Sequence, residues 1–250
     1  MRPTLFTLGP ISVGSYALSM ALAFALALSV RRMESRRLGY THDPRHRWVG
    51  VGALLGAVVG AKLGMLLFQP LDDFHQTLAR MASLDFTGKT VIGGLMGGYV
   101  GVEVAKRLVG ITRSTGDAFA VAVPLGQCVG RIGCFLHGCC YGTPSRGPLS
   151  VEMAGAHRHP TQLYEAALDL GLAAALYAVR KTPRPEGHLF RRYLVGYALI
   201  RFALEPWRGD PTVHVGPLTL VQVVCLAAVV VFTALILHGE RAIVAPRARP

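Results

Sequence analysis

Seven apolar runs lie along this chain, separated by short polar connections. They cover residues 11–30, 48–68, 91–105, 118–136, 161–179, 193–206 and 218–238. A helix needs roughly 17–25 apolar residues to cross a bilayer, and most of the runs meet that length. The runs at 91–105 and 193–206 are short and interrupted by glycine or charge, so they are expected to face protein rather than lipid. The pattern predicts an all-α membrane protein with seven transmembrane helices, forming a single polytopic domain over residues 1–250. The first run is not read as a cleaved signal. Its apolar core is about twenty residues, against 7–15 for a signal peptide, and only Arg2 precedes it while Arg31, Arg32, Arg36 and Arg37 follow.

The basic residues sort by connection. Those after the first, third and fifth runs, with the C-terminal tail, hold 17 of the 26 Lys and Arg residues. Cytoplasmic loops carry such an excess, so the N-terminus is expected outside and the C-terminus in the cytoplasm, as an odd number of crossings requires. Composition supports a membrane domain: 52% of residues are hydrophobic, 16% are charged, and the mean hydropathy is +0.41. A net charge of +12 in a soluble protein would suggest a nucleic-acid partner. Here most of the excess sits in juxtamembrane loops, where topology and anionic headgroups account for it, and no nucleic acid is expected.

Polar residues inside the runs point to chemistry, because a charge at the bilayer centre costs about 2.5–3.5 kcal/mol on insertion scales. Arg131 lies in Gly126-Gln-Cys-Val-Gly-Arg-Ile-Gly-Cys134-Phe-Leu-His137-Gly-Cys139-Cys140-Tyr-Gly142. Its guanidinium offers a planar fork of donors that matches phosphate, although a helix-end arginine can also snorkel to the interface. Tyr197, Arg201, Glu205 and Arg208 follow one another at spacings of four, four and three, which stacks them on one helical face. Arg201 and Glu205 could form a purely structural pair, whereas a second arginine near the first suits a doubly charged anion. His159-Pro-Thr-Gln162-Leu-Tyr-Glu165 reads as a helix start with Pro ahead of it. Tyr16 alone reads as an interfacial aromatic. Glycines cluster at 50–64 and 93–101, where small residues let helix backbones approach.

The order of these segments carries a resemblance. Leu8-Gly-Pro-Ile leads to Tyr16, followed by Gly60-Ala-Lys62-Leu-Gly64, Gly93-Gly94-Leu-Met-Gly97, and Gly130-Arg131-Ile-Gly-x-Phe with Gly138 and Gly142. Then come the His159 to Glu165 segment, the Tyr197, Arg201, Glu205, Arg208 ladder, and Leu218-Thr219 with Gln222. Together they resemble the prolipoprotein diacylglyceryl transferase family over most of the chain.

The resemblance implies a seven-helix enzyme of the bacterial inner (plasma) membrane with its active site toward the outer, periplasmic leaflet. It would transfer a diacylglyceryl group from phosphatidylglycerol to the lipobox cysteine of a prolipoprotein and release glycerol phosphate. The implied partners are the phospholipid, the membrane and the signal-peptide region of the prolipoprotein, with no cofactor and no metal. Arg131 and Arg201 would hold the phosphate, and Glu205, His137 and His159 are the other candidate catalytic groups. Tyr16, Lys62, Gly93, Gly94, Gly97, Gly142, Gln162, Tyr197 and Arg208 would shape the substrate site.

Three positions depart from the family's pattern. Ile92 stands where the family usually has His before Gly-Gly-Leu-x-Gly, Cys134 where it has Asn after Arg-x-Gly, and Cys139 where it has an acidic residue. Three readings stay open. The chain could modify lipobox cysteines with another base, or with a thiol that ionises unaided. It could be a paralogue with another acceptor or lipid, using Cys134, Cys139 or Cys140 as a reactive thiol. It could be a non-catalytic lipid-binding or solute-transporting protein, or carry a metal or redox site on those cysteines. Cys128 and Cys225, deep in apolar runs, read as core fillers.

Overall fold

A computed structural model describes residues 3–8, 11–68, 90–210 and 212–244. Gly9, Pro10, the connection 69–89 and the tail arginines Arg247 and Arg249 lie outside the described residues. Among the described residues seven long helices form, one for each apolar run: α1 Ser15–Arg37, α2 His46–Phe68, α3 Val91–Val109, α4 Ala122–His137, α5 Thr161–Val179, α6 His188–Leu204 and α7 Leu220–Val244. Three of them, Ser15–Arg37, His46–Phe68 and the Leu220–Gly239 part of α7, are long and apolar enough to cross a membrane. The others are shorter or more polar. At a rise of about 1.5 Å per residue α4 spans only about 24 Å, less than a hydrocarbon core of about 30 Å.

The ends differ from the apolar runs for identifiable reasons. Residues Ile11–Gly14, assigned by hydropathy to the first crossing, form a strand β2 antiparallel to β1 Thr4–Leu8. An apolar stretch with Ile and Val suits a strand as well as a helix. At the other end α1 runs on through Arg36 and Arg37 to a turn at Gly39, whose φ of 75° favours glycine. Helix α6 starts five residues before its apolar run, at His188, because Asp117 accepts hydrogen bonds from the Gly187 and Phe190 amides at 2.8 and 3.0 Å. That carboxylate satisfies amides at the helix start that have no intrahelical partner. At the start of α7 the Gln222 amide donates to Thr219 Oγ1 and the Thr219 amide to Gln222 Oε1, both at 3.1 Å, a reciprocal capping box.

Large apolar side chains are exposed while several charged and polar ones are buried. Leu55, Leu108 and Val230 are more than half exposed, at 61%, 81% and 68%, whereas Glu34, Gln162, Glu165 and Asp169 are at most 1% exposed. In water this arrangement would be costly, and in lipid it is what solvation demands.

The chain contacts divide into two compact units. One comprises residues 36–113 and 211–223, and its main feature is the α2–α3 pair. Glycines 52, 56, 60 and 64 face glycines 93, 97 and 101, so closely that a Cβ on Gly97 would lie 2.6 Å from the Gly60 Cα and one on Gly52 would lie 2.6 Å from the Ala105 Cβ. Both glycine clusters therefore serve helix contact, where dispersion replaces the absent hydrophobic drive. The hairpin β5 His214–Val215 and β6 Leu218–Thr219 also belongs here.

The other unit, residues 1–35, 114–210 and 224–250, holds α5 against both α4 and α6. Its hairpin β3 Val151–Met153 and β4 Ala156–Arg158 turns at Ala154 and Gly155, both with positive φ as a tight hairpin turn requires. Buried Glu34 pairs with Arg180 at 3.1 Å and joins the end of α1 to the end of α5.

The glycine seam predicts a contrast between two helical positions. Gly97→Ala should lower the thermal midpoint of the detergent-purified protein by several degrees. Gly171→Ala in α5, where a Cβ meets nothing within 4 Å, should be neutral or stabilise by up to about 1 kcal/mol through helix propensity. Equal midpoints for the two variants would contradict the seam.

Candidate active site

Glu165 is the acidic member of the His-Pro-Thr-Gln-Leu-Tyr-Glu segment, one turn into α5 and 1% exposed. Its Oε1 accepts from Arg131 Nη2 of α4 at 2.7 Å and from the Tyr197 hydroxyl of α6 at 3.4 Å. Its Oε2 accepts from Arg208 Nη1 at 3.2 Å. One carboxylate thus joins three segments far apart in sequence. The side chains of Arg131 and Arg208 are each only 8% exposed.

Arg201 pairs with Glu205 at 2.6 Å on successive turns, the intrahelical pair that the spacing allows. Arg201 also lies within electrostatic reach of Glu165. The ladder does not continue as one helix. Glu205–Trp207 is a 3₁₀ turn, and Arg208 follows in extended backbone, so it turns back to Glu165 and pairs with Asp210 as well. Three guanidiniums therefore meet three carboxylates, Glu165 and Glu205 buried and Asp210 part-exposed, so the charges balance and the group offers directed N–H donors rather than a net charge. Arg131 touches Glu165 through one nitrogen, and a guanidinium carries five N–H donors. Such a group can receive a phosphate in a poorly hydrated setting and stabilise charge on its oxygens.

The loop after α4 is built to keep these arginines in place. Gly138 ends the helix at φ 85°, and Cys140 continues in the left-handed region at φ 56°. The Cys139 carbonyl accepts from Gln162 Nε2 at 2.7 Å and the Cys140 carbonyl from Thr161 Oγ1 at 3.2 Å. Gly142 bridges to Arg208, and its amide donates to the His159 carbonyl at 2.9 Å. A Cβ on Gly142 would lie 2.6 Å from the carbonyl oxygens of both His159 and Trp207, so glycine is required for this close approach. Gln162 and Gly142 thus hold the loop that carries Cys139 and Cys140 and set it against Arg208.

The remaining predicted residues fall into different surroundings. Tyr16 of α1 has its ring centroid 5.7 Å from that of His137, and it lies within electrostatic reach of Arg131 and of Cys134, Cys139 and Cys140. His137 is the last residue of α4 and is exposed. The His159 Nδ1 lies 3.4 Å from the Tyr164 hydroxyl, and its backbone, rather than its ring, joins the loop. Lys62, half-buried on α2, and Gly93, Gly94 and Gly97 on α3 belong to the other unit, where Gly93 and Gly97 face Gly60 and Ile92 is buried. Cys134, Cys139 and Cys140 place their sulfurs within 4.8 Å of one another. A surface depression of about 630 Å³ lined by Pro144, Ser145, Arg146 and His157 shares no residue with the guanidinium group.

A profile of the prolipoprotein diacylglyceryl transferase family matches residues 3–238. The chain belongs to the prolipoprotein diacylglyceryl transferase family. It is 34% identical over 236 residues to a phosphatidylglycerol–prolipoprotein diacylglyceryl transferase of Aromatoleum aromaticum, covering 87% of this chain and 86% of that protein. The identically named protein of Azoarcus sp. strain BH72 is 33% identical over 258 residues, with 96% of each chain covered. That of Clostridium tetani is 29% identical over 249 residues, covering 92% and 95%. The diacylglyceryl transferase family is thus spread over both units, and the match takes in Arg131, Glu165, Arg201 and Arg208.

Sequence reasoning did not rank Glu165 among the site residues, although two buried arginines need a counter-ion and Glu165 is an acid on an apolar helix. Asp169, one turn further and fully buried, was also passed over, and neither carboxylate oxygen makes a hydrogen bond. Removing one partner of a buried pair strands the others, at about 3–5 kcal/mol. Glu165→Ala should therefore destabilise the detergent-purified protein by that order, and Arg208→Met in the same chain should recover part of the loss. Purely additive losses in thermal unfolding would show that the two residues are not coupled.

Proposed function

We propose that this protein transfers the diacylglyceryl group of phosphatidylglycerol to the lipobox cysteine of prolipoproteins and releases glycerol phosphate. The observation that carries the reading is the cluster of guanidiniums, Arg131, Arg201 and Arg208, held by Glu165, Glu205 and Asp210 in and beside apolar helices, in a chain of the diacylglyceryl transferase family. The relatives' names supply the donor and acceptor, and the site supplies the guanidinium N–H groups that a phosphate needs.

In this reading the headgroup phosphate sits against Arg131 and Arg201, with Arg208 beside them. As the glyceryl C–O bond breaks, negative charge grows on the phosphate oxygen, and fixed guanidiniums stabilise it more than they stabilise the ground state. Tyr197 orients Glu165, and Tyr16 borders the site from α1. His137, His159 or Glu205 takes the thiol proton. The seven helices are seven crossings of one domain in the bacterial inner membrane, with the N-terminus outside and the C-terminus in the cytoplasm. The reaction takes place at the outer leaflet, where the signal-peptide region of the acceptor presents its cysteine. The basic bias of the connections supports that orientation.

Purified protein, acyl-labelled phosphatidylglycerol and a lipobox peptide test the reading. Label should move to a peptide with Cys and not to one with Ser, with release of glycerol phosphate. Arg131→Ala and Arg201→Ala should each lower transfer by about a thousandfold, and the Lys variants should recover little, because a point charge does not reproduce a bidentate fork. Full activity in both Ala variants would refute the phosphate clamp. Donor lipid bound without transfer to the Cys peptide would favour the paralogue with another acceptor, to which the replacement of family residues by Ile92, Cys134 and Cys139 also points.

A further inference from the structure

We propose that Cys134, Cys139 and Cys140 bind one zinc ion through three thiolates, and that the fourth position of that ion takes the acceptor thiol. This departs from the expectation that the enzyme has no metal, and it rests on the acceptor being a cysteine, as proposed above.

The geometry carries the metal site. The three sulfurs all lie within 4.8 Å of one another. Zinc with Zn–S bonds of about 2.3 Å in tetrahedral geometry sets its sulfurs about 3.8 Å apart, so a contraction of about 1 Å completes three legs of a tetrahedron. The scaffold that brings them together is held at both ends. Cys134 is fixed in α4, while Gly138 and Cys140 turn the chain back through left-handed backbone at φ 85° and 56°. A non-glycine residue in that region is uncommon and strained, and here Thr161 and Gln162 hold the two carbonyls beside it. Cys134 is buried and Cys139 and Cys140 are half-buried, so one side of the cluster stays accessible.

The charge suits a divalent ion. Three thiolates carry three negative charges, and Arg131 lies within electrostatic reach of Cys134 and Cys140, with Arg208 within reach of Cys140. A zinc tris-thiolate keeps one net negative charge beside those guanidiniums. All-sulfur donors select soft d¹⁰ ions, and zinc favours four ligands, so three cysteines leave one position open. Copper(I), satisfied by three thiolates, would leave none.

The chemistry fits the residue that this chain lacks. Ile92 stands at the position where a His would be expected to take the thiol proton, and a thiol bound to zinc is deprotonated on binding. In the step proposed, the acceptor S–H passes its proton to the base named above, His137, His159 or Glu205, as its sulfur bonds to zinc. The sulfur then forms a bond to the terminal glyceryl carbon while the carbon–oxygen bond to phosphate breaks. The electron pair leaves on the glycerol phosphate oxygen, against the guanidiniums. The thioether product is a weak ligand and leaves, and zinc does not change oxidation state.

The test uses the full chain in lipid nanodiscs, stripped with a chelator and titrated with Zn²⁺ and, as a coloured probe, Co²⁺. One metal per chain is expected, with thiolate-to-cobalt charge-transfer bands and the visible bands of a tetrahedral site. Cys134→Ser, Cys139→Ser and Cys140→Ser should each weaken binding at least about tenfold, while Cys128→Ser and Cys225→Ser leave it unchanged. A lipobox peptide with Cys should shift the cobalt bands and one with Ser should not. Stripping should lower transfer about a hundredfold, the scale of a lost proton acceptor, and Zn²⁺ should restore it. No metal uptake, uptake of copper alone, uptake unchanged in the three variants, or two of the three thiols found joined as a disulfide would each overturn the site. Full transfer by the stripped enzyme would overturn the inference and leave the proposed function standing. A peptide-sensitive cobalt spectrum in a protein that transfers nothing from phosphatidylglycerol would uphold the metal site and fault the donor lipid.

Discussion

A single carboxylate decides the arrangement of this protein's polar interior. Glu165 accepts from Arg131 of α4, Arg208 beyond α6 and Tyr197 of α6, in a setting where an unpaired charge would cost several kcal/mol. None of these groups can move far without stranding another. The guanidinium cluster is therefore not three arginines that happen to be near each other. It is a network in which each guanidinium is oriented before any anion arrives, and that preorganisation lets fixed charge act on a transition state without reorganisation at the moment of reaction.

The surrounding backbone serves this network. Asp117 sets the start of α6 and so the height of Tyr197 and Arg201. Thr161 and Gln162, the residues that open α5, reach the carbonyls of Cys139 and Cys140, so the segment that presents Glu165 also holds the loop after α4. Gly142 lets that loop come against the backbone of His159 and Trp207 and bridge to Arg208. A motif that reads as a polar helix start is thereby a clasp with its functional acid one turn in.

The helices were legible because lipid makes hydropathy a direct report of environment, and each apolar run became one helix. Their ends were less legible. Hydropathy records where the chain meets an apolar medium, whereas helix ends depend on hydrogen bonds such as those from Gly187 and Phe190 to Asp117, which come from 70 residues away or more. Residues 11–14 went to a strand because apolar residues that include Ile and Val satisfy either period. Of the site, Arg131, Arg201 and Arg208 stood out as charges in or beside apolar runs. Glu165 did not, because an acid near a helix start looks ordinary until its partners are counted. The convergence of Cys134, Cys139 and Cys140 depended on left-handed backbone at Cys140, which no sequence rule assigns to cysteine.

The central claim is that the guanidiniums of Arg131 and Arg201, held by Glu165 and Glu205, receive the donor's phosphate. The most direct measurement is an experimental structure of the protein with a phosphonate analogue of phosphatidylglycerol whose cleavable C–O bond is replaced by C–C. The account predicts phosphonate oxygens within about 3 Å of the Arg131 and Arg201 guanidiniums, with Glu165 still between Arg131 and Arg208. A headgroup bound elsewhere, with the arginines closed on their carboxylates as before, would contradict it.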